Sequence, residues 1–276
     1  MDNIKIIALD LDGTMLTSQK TVSEGTKEAF RLATEKGINI VPSTGRGITG
    51  IPAAVRELPY VRYAITVNGA AVWDLVEGRC LVHTFFDKEQ VEELWAILSG
   101  LGTMIDAVID GVAMMETGYY GQIPDYYTDP NKVRAYRATR RPVEDLYIKV
   151  ADPAGNVEKF DLYVKPSEMY RLGEARRALA HLPYVKITSS YENNIEINAV
   201  GADKGTALLE LARKLGYTRE QTMAFGDGEN DISMLQAAGV GVAMGNAADE
   251  VKAAADRVTI SNDDDGVAYA IRKWCL

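Results

Sequence analysis

The apolar and polar positions of this chain alternate between strand-like and helix-like periods. Residues 4–11 form a short, β-branched apolar run, which predicts a buried parallel strand. Ser23 stands where it would cap a helix bearing Ala29, Phe30 and Ala33, and Gly37 closes that helix. Residues 38–41 read as a second strand. Residues 48–58 read as a helix with Pro52 in its first turns, where proline is best tolerated. Residues 64–67 give a third strand, and Asn68-Gly69 gives a turn. Towards the end the rhythm returns. Helices are predicted over 204–215, 231–238, 247–255 and 267–274, and strands over 222–225, 240–243 and 257–260. Strands alternating with helices imply a parallel sheet covered on both faces.

The middle of the chain breaks this rhythm. Residues 89–98 look helical, and the runs 103–109 and 112–115 flank Asp110-Gly111, a strong hairpin signal. Tyrosines crowd 119–163, residues 160–164 read as a strand and 167–180 as a helix. Hairpins among helices predict an α+β domain inserted into an α/β one. The expected architecture is a Rossmann-like parallel-sheet core over 1–83 and 190–276, with an inserted α+β cap over 84–189. The length of 276 residues suits two modest domains at ~150 residues each.

Acidic strand ends carry the strongest chemical signal. Asp10-Leu11-Asp12-Gly13-Thr14 closes the first strand, and residues two apart on a strand point the same way. Both carboxylates are therefore expected to face the crevice beyond the strand ends, where ligands of parallel sheets bind. Carboxylates that close repel unless a proton or cation intervenes, and magnesium with a substrate phosphate fits. Gly226-Asp227-Gly228-Glu229-Asn230-Asp231 repeats the arrangement after another apolar strand. Ser43-Thr44-Gly45-Arg46 offers hydroxyls and backbone N–H groups suited to a phosphoryl oxygen, although such a turn is common by itself. Lys204 opens a helix against the dipole's preference for acids there, which marks it as a placed cation.

Together these four motifs resemble the haloacid dehalogenase superfamily, and more closely its Cof-type phosphatases, which carry a large α/β cap. The similarity runs from Ile6 to Ile271 and is most specific at Asp-x-Asp-Gly-Thr, Lys-Gly, Gly-Asp-x-x-Asn-Asp and Asp-Gly-Val-Ala. Asn194-Ile195-Glu196-Ile197 is similar to the family's return from cap to core. The resemblance implies that Asp10 is the nucleophile and Asp12 the general acid and base. It implies that Thr44, Gly45, Lys204 and Asn230 bind phosphate. Mg2+ would be held by Asp10, Asp227 and the backbone carbonyl of Asp12, with Asp231 steadying the metal site and Lys204. The superfamily's dehalogenases, phosphonatases and P-type ATPases lack a carboxylate two residues after the nucleophile. Asp12 therefore favours hydrolysis of small phosphate monoesters through an aspartyl-phosphate. Two alternatives stay open: a phosphosugar mutase of the same superfamily, and a phosphate-ligand sensor with little turnover.

Composition narrows the field further. A net charge of −9 disfavours nucleic-acid and membrane-surface partners. Cys80 and Cys275 have no metal-like spacing, no N-terminal signal peptide is legible, and no apolar stretch reaches the ~20 residues that span a bilayer. A cytoplasmic location is expected. There is no Gly-x-x-x-x-Gly-Lys-Ser/Thr, and neither His83 nor His181 joins a Gly-x-Ser-x-Gly elbow. Asp263, Asp265 and Gly266 echo a calcium loop, but Arg272 occupies the place of its closing glutamate, so a helix cap is expected. The basic run from Arg134 to Arg141 reads as a solvated face. The substrate itself and the oligomeric state are not legible.

Overall fold

The computed structural model describes residues 3–276. Ile6–Leu9 is an inner strand of a five-stranded, all-parallel sheet and is buried along its whole length. It pairs on one side with Thr222–Gly226 and on the other with Asn39–Pro42. Val240–Ala243 and then Arg257–Val258 extend the sheet beyond Thr222–Gly226. Next to Asn39–Pro42, Tyr63–Thr66 joins through the parallel bridge Ser43–Ile65. That strand then turns back into an antiparallel sheet with Ala71–Asp74 and Arg79–His83.

Local chemistry sets the helix boundaries. The Ser23 hydroxyl accepts from the Thr26 N–H at 3.0 Å and caps Glu24–Glu35. That helix packs against Gly266–Trp274. Lys204–Lys214 and Ile232–Ala237 pack together, placing Leu208, Leu211, Met234 and Leu235 in one core cluster with Ile6, Ala8, Ile65 and Ala224. Each leucine, isoleucine or methionine among them contributes about 1.5–3 kcal/mol when fully buried. The helix expected over 48–58 is divided. Ile48–Gly50 is a 3-10 turn, and Ala53–Arg56 is a single turn that starts after Pro52. Proline has no N–H to donate and disfavours a helical residue before it, so the two pieces stay separate.

The chain divides into two compact units. The first comprises Met1–Gly45, Ile51–His83 and Asp203–Leu276, and the second Arg46–Gly50 and Thr84–Ala202. The return therefore comes later than the expected 190. Asn194–Ala199 pairs on both edges within the second unit, with Val185–Thr188 and Val157–Tyr163, so its backbone groups are satisfied there.

In the second unit a six-stranded sheet runs in the order Val185–Thr188, Asn194–Ala199, Val157–Tyr163, Met104–Ile109, Val112–Glu116, Arg141–Val143. Only the last pair is parallel. Asp110 and Gly111 both have positive φ, 47° and 76°, as a two-residue hairpin turn requires. Strand alternation puts Phe160, Leu162, Ile105 and Ile197 on one face. Lys159, Asp161, Tyr163, Asp106 and Glu196 occupy the other. The basic run is not one solvated face. Arg134 and Arg141 are exposed, but the Arg140 side chain is only 15% exposed. Its guanidinium donates to Asp106 Oδ2 at 2.9 Å and to the Tyr163 hydroxyl at 3.0 Å, and lies 3.8 Å from the centre of the Tyr136 ring.

Asp74 ties the antiparallel sheet of the first unit together. Its buried carboxylate accepts from Arg62 Nε and Nη2 at 3.1 and 2.8 Å and from the N–H groups of Val76 and Glu77 at 3.1 Å each. Burial raises its pKa, but the Arg62 and backbone hydrogen bonds outweigh that and hold it below the usual value. A depressed carboxyl stabilises the fold above its unfolded pKa and loses that contribution as pH falls through the folded value. Asp74→Ala is thus expected to cost about 1.5–3 kcal/mol near neutrality, the worth of a hydrogen bond to a charged group. In urea unfolding the gap from the parent should shrink as pH drops below the ordinary aspartate value. A gap that is independent of pH would contradict this account.

Candidate active site

The first strand stops at Leu9, one residue short of the motif, so strand alternation does not govern Asp10 and Asp12. Asp10 stays anchored to the sheet, its N–H donating to Phe225 O at 3.0 Å. After it the chain turns: Leu16 N donates to Leu11 O at 2.8 Å and Met15 N to Asp10 O at 3.1 Å. The two carboxylates consequently part company. Asp10 joins Asp227 and Asp231, whose oxygens lie within 4.8 Å of one another, whereas the Asp12 carboxylate lies outside that group and accepts from Lys20 Nζ at 2.7 Å. Its expected contact with a metal ran through the backbone carbonyl, which this separation leaves untouched.

Lys204 is the hub. Its side chain is fully buried, and Nζ donates to Asp10 Oδ1 and to Asp231 Oδ1, both at 2.6 Å. Burial disfavours the ammonium, but Asp10 and Asp231 overcome this and hold the lysine above its usual pKa. Asp203 caps the helix that Lys204 begins, accepting from the N–H groups of Gly205 and Thr206 at 3.0 Å each. The second oxygen of Asp231 accepts from the N–H groups of Asp227 and Gly228 at 3.0 and 2.9 Å. Asp231 therefore braces both the lysine and the loop carrying Asp227. Thr14, at the end of the first motif, donates its hydroxyl to Asp227 Oδ1 at 2.7 Å. Between these loops only glycine fits at position 13. Its φ is 90°, and a Cβ there would lie 2.2 Å from Asp227 Oδ2.

The Ser43-Thr44 turn differs from the expectation. The Ser43 and Thr44 N–H groups donate to Leu9 O at 2.7 Å and Ile65 O at 2.9 Å, because they continue the sheet. They are not offered to an anion, and the buried Thr44 hydroxyl and Gly45 remain as the expected phosphate contacts. Asn230 donates to Asn68 Oδ1 at 3.3 Å, and a Cβ on Gly45 would lie 2.8 Å from that same oxygen. Asn68 thus joins Gly45 and Asn230. In the sequence it shows only as half of an Asn-Gly turn. The turn is strained, with Val67 and Asn68 at φ 51° and 54°. It also seats the lysine helix, since a Cβ on Gly69 would lie 2.2 Å from Asp203 O.

A family model for haloacid dehalogenase-like hydrolases matches residues 7–271. The chain belongs to that family. It is 34% identical over 278 residues to the 5-amino-6-(5-phospho-D-ribitylamino)uracil phosphatase YcsE of Bacillus subtilis, covering 99% of this chain and 97% of that protein. It is 30% identical over 272 residues to the pyridoxal phosphate phosphatase YbhA of Escherichia coli, covering 97% of each. A solved haloacid dehalogenase-like hydrolase from B. subtilis superposes with a TM-score of 0.84 at 30% identity, over 99% of this chain and 100% of that one. This haloacid dehalogenase-like chain is a phosphoric monoester hydrolase, and it shares the family's α/β fold. Among its described residues no helix is long and apolar enough to cross a membrane.

Members of the superfamily generally use Mg2+, and the carboxylate cluster suits a hard cation. Burial pushes the Asp10 carboxyl up, Lys204 pulls it down, and Asp231 and Asp227 push it further up. Burial likewise raises Asp227 to about 6, partly offset by Thr14. One lysine does not balance three carboxylates, and a divalent cation would supply the missing charge. An acid with a raised folded pKa binds its proton more tightly in the folded state, so without a cation stability declines as pH rises from the ordinary aspartate value through the folded one. Cation binding displaces those protons and is favoured by the same rise. The increase in melting temperature caused by Mg2+ should therefore grow between about pH 5 and about pH 7, the range spanning the Asp227 value. Asp227→Asn should abolish most of it. A Mg2+ shift that is flat with pH would rule out these carboxylates as its ligands.

Proposed function

We propose that this protein hydrolyses small phosphate monoesters through an aspartyl-phosphate on Asp10, with Mg2+ as its cofactor. The observation that supports this best is the convergence of Asp10, Lys204, Asp227 and Asp231 at the carboxyl ends of adjacent parallel strands. Phosphoryl transfer asks a protein mainly to position groups and neutralise charge. Lys204 holds the Asp10 carboxylate and meets the negative charge of the phosphoryl group. Thr44, Gly45 and Asn230 bind phosphoryl oxygens. Asp10, Asp227 and the Asp12 carbonyl hold Mg2+, and Asp231 orients its surroundings. When bound, the ion offsets charge on the transferring oxygens.

Asp10 attacks phosphorus, and the P–O bond to the alcohol breaks. Asp12 gives its proton to the departing oxygen. It then takes one from the water that attacks the aspartyl-phosphate, which releases inorganic phosphate and frees Asp10. Residues 84–202 supply the cap. The named activities of the relatives, on a ribitylaminouracil phosphate and on pyridoxal phosphate, support a phosphorylated metabolite as substrate and make both compounds first choices for a kcat/KM panel.

Asp10→Asn should form no covalent intermediate with any ester. Asp12→Asn should slow hydrolysis of alkyl phosphates by about 10²–10⁴-fold, the usual worth of general acid–base catalysis. A nitrophenyl ester leaves without a proton, so the same variant should release a burst of nitrophenol and then stall as the phosphorylated enzyme. Rapid-quench kinetics would show this. Full activity in excess chelator would remove Mg2+ from the scheme, and transfer of phosphate within the substrate rather than its release would favour a mutase.

A further inference from the structure

The loop after the first motif holds a residue that none of these roles uses. Lys20 has φ 62°, a left-handed backbone that a side-chain-bearing residue adopts at a cost. Its ammonium contacts Asp12 Oδ1 at 2.7 Å, with side chains 62% and 37% exposed. An ion pair this open to water adds little to stability. Neither the backbone nor the pair therefore serves the fold well.

The loop is nevertheless built to keep Lys20 in place. Lys20 N donates to Thr17 O at 2.8 Å, and Thr17 N to Thr21 O at 2.9 Å, closing a tight turn. Ser18 is clasped twice by Asp263, through its N–H at 2.8 Å and its hydroxyl at 2.6 Å. Asn262 donates to Leu16 O at 2.9 Å, and Asn246 to Gly13 O at 2.9 Å. Asn262 N in turn donates to Asn246 Oδ1 at 3.0 Å. The acidic run near Asp263, which holds no complete calcium loop, serves here as an anchor. Fixed points lie before the turn, at Gly13 and Leu16, and within it, at Ser18, and Lys20 reaches from it to Asp12.

We propose that Lys20 is a positioning residue for Asp12: the pinned loop presents its ammonium to one carboxylate oxygen and so fixes the orientation in which Asp12 exchanges its proton with the reacting oxygens. Asp12 lies outside the cluster of Asp10, Asp227 and Asp231, and Lys20 meets one of its carboxylate oxygens. Lys20 touches neither phosphate nor leaving group in this role. The inference rests on Asp12 being the proton carrier, which the Asp12→Asn burst tests separately.

Lys20→Gly is the informative variant, since glycine accepts a positive φ without strain and the fold should not suffer. Its melting temperature should equal or exceed that of the parent. With Mg2+ present, its kcat on an alkyl phosphate should fall about tenfold or more while KM stays within about threefold. The nitrophenol burst should persist, and Lys20→Arg should recover most of the loss. Added to Asp12→Asn, Lys20→Gly should cost nothing further, because the group it positions is already gone. A crystal structure of Lys20→Gly reads the orientation without any turnover and should show the Asp12 carboxyl moved. Unchanged kcat, equal losses on alkyl and aryl esters, a further loss in the Asp12→Asn background, or an unmoved Asp12 would each overturn the proposal.

Discussion

A lysine ammonium with no contact with water cannot stand alone. Lys204 is held between Asp10 and Asp231 at 2.6 Å each, and much of the first unit follows from that requirement. The two carboxylates arrive from different loops, after Ile6–Leu9 and after Thr222–Gly226, and Asp231 must also engage its second oxygen. Asp231 meets this through two backbone N–H groups, which in turn fix the loop bearing Asp227. Removing one partner of such a buried pair leaves an uncompensated charge and costs more than the pair contributes net. The arrangement therefore defines one geometry more than it adds stability. The carboxyl groups of Asp10 and Asp227 outnumber the one ammonium beside them, and this imbalance suits the site to a cation.

The parallel core was legible because it is encoded locally: short β-branched runs, a serine cap, glycine stops and acidic strand ends each announce themselves within a few residues. Lys204 stood out for the same reason, as a cation at the wrong end of a helix. What escaped was set by partners distant in sequence. Asn194–Ala199 reads as a strand in either unit, and only its pairing with Val157–Tyr163 decides which. Ala71–Asp74 and Arg79–His83 sit behind a turn signal, with Asp74 and Arg79 breaking the apolar pattern. The buried Asp74 is paired with Arg62, a fact that no pattern of single residues conveys.

Within the site the misreadings share one cause, the place where a strand ends. Three residues of extra strand would have set Asp10 and Asp12 on one face. The turn that begins at Asp10 instead sends Asp12 towards Lys20. One more bridge at Ser43 consumed N–H groups that the sequence seemed to offer to phosphate. Asn68 was hidden because its value lies in a left-handed turn beside Gly45, whereas the dipeptide alone speaks only of a change in direction.

The first strand has a further consequence, for synthesis. Ile6–Leu9 leaves the ribosome early, yet one of its two sheet partners, Thr222–Gly226, is made after the whole second unit. Pairings so remote in sequence form slowly, because a long loop must close before they are rewarded. Residues 84–202 can gather into their own compact unit while the strand that leads to Asp10 still waits for its neighbour. Lys204, Asp227 and Asp231 all come from the last third of the chain. A nascent or truncated chain thus carries Asp10 without Lys204, and the charged centre comes into being only when translation is nearly complete.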